Sequence, residues 1–197
     1  MPIEVDEARR LDEIADATIQ VARERGVRSV TIRAVAAQLG GSTAMVTNYV
    51  SSRSALMINA LRRAERDWAG EMEEVLEGLT GPERLQAVAR WMCTTERDDE
   101  VLRRLLMEIA SAGPGAGADV EELRRATARR GRDEMGALVA EAGLPDAALS
   151  ADILHLLFRG YWLSTLEDPD TWTRERGTRV ALALIDLLSR ERPSGGE

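Results

Sequence analysis

The chain has 197 residues, 44% of them hydrophobic and 30% charged, with a formal net charge of -8. That is the composition of an ordinary globular chain, and its acidic balance excludes a protein that coats nucleic acid or an anionic membrane all over, though not one with a local basic site. One Cys and one His exclude an internal disulfide and a His/Cys metal cluster. The start, MPIEVDEARR, is acidic and lacks the apolar core of a signal peptide. No stretch approaches the roughly 18–20 apolar residues that span a bilayer, so the cytoplasm is the expected compartment. All 26 basic residues are Arg, a bias that a GC-rich bacterial genome produces.

Helical periodicity runs through the chain, and strand signals are almost absent. Leu11, Ile14, Ala15, Thr18 and Ala22 form one stripe, closed by Gly26. Ile32, Val35, Ala36 and Leu39 form a second, short stripe that Thr31 is placed to cap. A third helix is expected from Ser42 to Val50. A long fourth begins near Ser52 and stacks Met57, Leu61, Ala64, Trp68, Met72, Val75 and Leu79. TGPE at 80–83 stops one helix and starts the next, with Pro82 at an early helical position. Further helices are expected over 82–97, 99–112, 118–142, 147–167 and 172–191. Residues 111–119 and 143–146 read as loops, and the tail 193–197 as disordered. The fold class is all-α, with about nine helices.

Charge divides the chain. From Arg25 to Ala64 there are six Arg and no acid, whereas residues 67–197 carry 16 Arg against 26 Asp and Glu. The cationic stretch contains QLGGSTAMVTNYVSS, where one helix stops, turns and restarts, as in a helix-turn-helix. Gly40 allows a positive φ at the exit of the second helix. Ser42 can cap the third. Val46 and Val50 then face inward, leaving Thr43, Ala44, Thr47 and Asn48 on the outer face. Those side chains are small or hydrogen-bonding and none is acidic, so such a face can enter a major groove. Arg28, Arg33, Tyr49 and Arg53 surround it within reach of phosphates.

From Ala8 to Leu56 the order of elements resembles the N-terminal domain of the tetracycline-repressor (TetR) family of transcription regulators. RLDEIADATIQVARERG stands for the first helix, and GVRSVTIRAVAAQLG for the connection and second helix. Ser42, Ala44, Val46, Thr47, Tyr49, Val50, Ser52, Arg53 and Leu56 fall at matching spacings. Three positions depart from the pattern: Gly41 where an aliphatic residue is usual, Thr47 where Tyr is usual, and Val50 where Phe is usual. Met57 or Ile58 can compensate the smaller plug at Val50. The resemblance implies that Thr43, Ala44, Thr47 and Asn48 approach base edges, while Thr31, Ser42, Tyr49 and Arg53 hold phosphates, with Arg33 nearby. Asn48 is the best candidate for direct readout, since an amide pairs bidentately with adenine.

The resemblance also implies a domain division: 1–52 as the DNA-binding domain, helix four from 53 as the link, and 53–192 as an effector-binding and dimerisation domain. ADILHLLFRGYWLSTL at 151–166 is apolar almost all round, and the last helix carries Val180, Leu182, Leu184, Ile185, Leu187 and Leu188. Helices of this kind need cover on both sides, which a homodimer through the last two helices provides. A two-fold dimer reads a pseudo-palindromic operator with half-sites about 34–36 Å or a multiple apart. An effector, unknown in identity, would sit among Trp91, Met92, Met107, Phe158 and Trp162, with Glu108, His155 or Arg159 as polar anchors. The implied function is a repressor that a small molecule releases from DNA. No cofactor is called for, and no nucleophile–base pair, paired carboxylates, phosphate loop or metal spacing suggests an enzyme. The alternative is a protein-interaction module with a regulator-like fold that no longer binds DNA.

Overall fold

A computed structural model describes residues 7–94, 97–111 and 118–190. Among these there are nine α-helices and no strand: α1 Glu7–Arg25, α2 Ile32–Gln38, α3 Thr43–Thr47, α4 Arg53–Leu76, α5 Gly81–Met92, α6 Arg97–Ala110, α7 Ala118–Glu141, α8 Ala147–Glu167 and α9 Arg174–Arg190. A 3-10 turn, Val27–Ser29, joins α1 to α2. None of the described helices is long and apolar enough to cross a membrane. The expected loop at 111–119 falls largely, and the tail at 193–197 entirely, outside the described residues.

The chain divides into two compact units, each discontinuous in sequence: Met1–Trp68 with Arg97–Arg125, and Ala69–Glu96 with Ala126–Glu197. The first unit also takes the start of α4, α6 and the start of α7.

In the first unit, Ile14, Val21, Val30, Val35, Val46, Leu56, Leu61, Leu105 and Ile109 bury into one apolar cluster. Their spacing is what drives these short segments into helices, since helices this short have little stability without tertiary packing. Met57 and Ile58 are buried in the same cluster as Val50, which gives physical content to the expected compensation there. Polar ties fix α1 against α4. Asn59 Nδ2 donates to Leu11 O at 2.7 Å. Arg63 lies 3.8 Å from Asp12 and 4.0 Å from Asp16 and also pairs with Asp67, while Arg66 pairs with Asp12. The fourth helix is shorter than its stripe suggests. It ends at Leu76, Gly78 takes a positive φ of 73°, and Val75 is exposed.

In the second unit, Leu85, Ala89, Met135, Val139, Leu154, Phe158, Tyr161, Ile185 and Leu188 form the core. Helix α5, expected to reach residue 97, stops at Met92. Cys93 N bonds Arg90 O at 3.2 Å and Thr94 N bonds Trp91 O at 3.0 Å, a tightened last turn. Two neighbours on α8 take up the carbonyls left over: Tyr161 Oη donates to Cys93 O at 3.1 Å and Trp162 Nε1 to Met92 O at 3.1 Å. Asp146, at φ 40°, caps α8 by accepting from Leu149 N at 3.3 Å.

Candidate nucleic-acid interface

The turn between α2 and α3 closes as a Schellman motif. Gly40 sits at φ 66°, its N–H meets Ala37 O at 3.1 Å, and the Gly41 N–H reaches Ala36 O at 2.9 Å. Both short helices are capped by hydroxyls. Thr31 Oγ1 accepts from Ala34 N at 3.1 Å, and Ser42 Oγ accepts from Met45 N at 3.3 Å. A hydroxyl that accepts one bond still holds a proton to donate, so both caps can also serve an anion in front of them.

On α3, Val46 is buried, as is Val50 just beyond it, while Thr43, Ala44, Thr47 and Asn48 are all exposed. The Thr47 hydroxyl turns back on its own helix toward Ala44 O at 3.4 Å. Tyr49 is half-buried and packs against the cluster, and Arg28 and Arg33 are exposed. No acid interrupts the sequence from Arg25 to Ala64, so this face is cationic by composition.

Gly41 lies under Met45. A Cβ built there would come within 2.3 Å of Met45 Cε and 2.8 Å of its Sδ. The thioether thus occupies the space an aliphatic residue at 41 would fill.

Arg53 is placed differently from its expected neighbours in the interface. Its Nε donates to Val30 O and its Nη2 to Val27 O, each at 3.1 Å, and Nη2 is 3.1 Å from Glu108 Oε1.

The residues expected around an effector do not gather in one unit. Met107 and Glu108 lie on α6 in the first unit, while Trp91, Met92, His155, Phe158, Arg159 and Trp162 belong to the second. The second unit holds a cavity of about 210 Å³ lined by Cys93, Leu157, Phe158, Tyr161, Ser164, Trp172 and Gly177, among others. Of the eight expected residues only Phe158 lines it. A shallower depression of about 510 Å³ lies between Arg90 on α5 and Arg174, Glu175, Thr178, Arg179 and Leu182 on α9. His155 sits against Gly131, and its imidazole is pushed below the usual range by burial, with Arg159 and Arg132 adding to the shift against the opposing pull of Asp152. Cys93 is a buried free thiol. No group of three His, Cys, Asp or Glu able to hold a metal occurs among the described residues.

Three capped or packed helices, two hydroxyl caps and an acid-free outer face followed by a larger helical body match solved structures over nearly the whole chain. A regulator from Haloarcula marismortui described as a TetR transcription regulator is 22% identical, with 92% of this chain and 98% of that one covered at a TM-score of 0.79. This chain has the TetR fold. A transcriptional regulator from Saccharomonospora viridis, solved in complex with choline, is similar at 18% identity and a TM-score of 0.76, with 91% of this chain and 96% of that one covered. Among curated proteins, the HTH-type transcriptional regulator PksA of Bacillus subtilis (strain 168) is 23% identical over 97% of this chain and 95% of its own length. No family model matches.

Proposed function

We propose that this chain is a sequence-specific, DNA-binding transcription regulator, a cytoplasmic repressor that a small-molecule effector releases from a pseudo-palindromic operator. One observation carries the reading: α3 presents Thr43, Ala44, Thr47 and Asn48 outward from a buried Val46 anchor, in a stretch of chain free of acids. The descriptions of the three similar proteins above, each a transcription regulator, support it. Arg33, Thr31, Ser42 and Tyr49 are the phosphate partners in this reading, and Asn48 reads a base edge.

A homodimer through α8 and α9 is supported by a seam the folded chain leaves open. Leu149, Leu156 and Leu163 recur every seven residues on α8 and are all exposed, and Val180 and Leu187 repeat the spacing on α9. A seven-residue repeat keeps nearly one face of a helix, the pattern of a helix–helix seam. The effector site we place in the second unit, around the cavity at Phe158, Tyr161 and Trp172, with Trp91, Met92, His155, Arg159 and Trp162 as its surroundings. At about 210 Å³ it suits a compact ligand, below the usual size of a drug-binding cleft.

The test is a titration of purified protein against a fluorescent duplex from just upstream of its own gene, at several salt concentrations, with an unrelated duplex as competitor. Selective binding that weakens steeply with salt is the expected result. Absence of binding even at low salt would favour the interaction-module reading instead.

A further inference from the structure

We infer that Arg53 serves DNA binding as a positioning residue and not as a phosphate contact, and that Glu108 on α6 holds it in that role; this rests on the DNA-binding reading above. The guanidinium is a planar fork, and here the fork is occupied. Nε is bonded to Val30 O, while Nη2 is shared between Val27 O and the Glu108 carboxylate. Two of its five N–H donors are thereby spent on backbone carbonyls, and Nη2 is also ion-paired with Glu108.

The two carbonyls bracket Arg28 and Ser29 in the turn that joins α1 to α2. Val30 directly precedes Thr31, the residue whose hydroxyl starts α2, and the Schellman turn then carries α3 from the end of α2. Whatever fixes Val27 and Val30 therefore fixes where the α2–α3 pair begins. Val30 is fully buried, so its carbonyl requires a partner, and Arg53 supplies one. Helix α6 packs on both α1 and the 3-10 turn and belongs to the same compact unit. Glu108 pairs its carboxylate with Nη2, opposing any swing of Arg53 away from the turn.

The experiment uses full-length protein and an operator duplex enriched from a random pool by the wild type. R53K keeps the charge and loses the fork. It is expected to weaken operator binding by about tenfold with the salt slope of the wild type, because no phosphate contact is lost. R33A, the control for a phosphate contact, should lower the slope by about 0.9. E108Q removes a negative charge near the interface, which by long-range electrostatics alone would tighten binding. The positioning role predicts the opposite, a loss of about two- to fivefold with an unchanged slope. Faster amide exchange at Val30 and Ala34 in R53K and E108Q, in the absence of DNA, should accompany it. Wild-type affinity in R53K, a slope reduced as in R33A, or tighter binding by E108Q would overturn the inference. If the wild type enriches no duplex, the DNA-binding reading itself falls, and unchanged exchange in both variants would then overturn the positioning role on its own.

Discussion

The two units treat apolar surface in opposite ways. In the first, no large apolar side chain of the three N-terminal helices is exposed, and the exposed positions on and just after α3 are the small or polar Thr43, Ala44, Thr47 and Asn48. In the second, Leu154 is fully buried while Leu156, two residues later, is 69% exposed, and Leu187 on α9 is 58% exposed. Burying a Leu is worth about 1.5–3 kcal/mol, so leaving several outside forgoes stabilisation that a second copy can recover. In the proposed reading the first unit offers its surface to a polar, anionic partner, and a second copy would cover the apolar side chains that the second unit leaves exposed.

The largest expected effect comes from breaking the second half of that contrast. Leu156→Glu places a charge in the α8 seam, where the single chain exposes the side chain, so the monomer should fold with little change. Dimerisation should fail by analytical ultracentrifugation. Operator affinity should drop by about 100-fold or more, because two linked half-sites bind far more tightly than one. A dimer that persists with unchanged affinity would move the interface away from α8.

A smaller effect tests how rigidly the second unit is packed. A Cβ at Gly177 would stand 2.4 Å from Tyr161 Cε2 and 2.5 Å from its Cζ. The ring cannot easily retreat, because its hydroxyl is held between Cys93 O at 3.1 Å and Thr173 O at 3.4 Å. Gly177→Ala should therefore force α8 and α9 apart and cost about 1–3 kcal/mol, the usual cost of overpacking a core. Three of the four Trp, at 91, 162 and 172, lie in this unit, so the loss should be seen in tryptophan fluorescence during urea unfolding. A midpoint within error of the wild type would mean the helices slide freely there.

What could be read from sequence and what could not separates along the same physical line. The helix-turn-helix elements were legible because their determinants are local: Thr31 and Ser42 cap helices three residues ahead, and Gly40 takes the positive φ its position demanded. The inward Val46 and outward Thr47 follow from helical period alone. The place of Arg53 at the start of α4 suggests a phosphate contact but does not show its carbonyl partners, 23 and 26 residues away, or its carboxylate partner on α6. Tertiary partners of that kind leave no periodic trace. The early end of α5 has the same origin, since the donors that satisfy Cys93 O and Met92 O come from Tyr161 and Trp162, 68 and 70 residues on. The expected effector residues rest on aromatics and Met with Glu108, His155 and Arg159 as polar anchors in an acidic region, a compositional cue that cannot tell which unit a helix joins. It does not pick out Tyr161, Trp172 and Gly177, which line the second unit's cavity.

The smallest effect comes from making the same substitution in the first unit. Gly41 does not need a positive φ, so an added methyl strains no backbone there. What it meets is the far end of Met45, with Cε at 2.3 Å and Sδ at 2.8 Å. An unbranched thioether with three rotatable bonds can swing away. Turning it off its present rotamer costs about 0.5–1.5 kcal/mol, while replacing Gly by Ala stabilises by about 0.4–1 kcal/mol through the unfolded chain. The two nearly cancel, so Gly41→Ala should change stability by less than about 1 kcal/mol, while the Met45 methyl resonance should shift clearly in an NMR spectrum. Met45→Ala alone should leave a gap over Gly41, and the double variant should recover part of that loss, giving a coupling between the two sites. A loss at Gly41→Ala as large as at Gly177→Ala would show that Met45 is locked as firmly as Tyr161. The turn would then be a rigid part of the recognition surface, and the departure from the usual aliphatic residue at 41 would be fixed by Met45 itself.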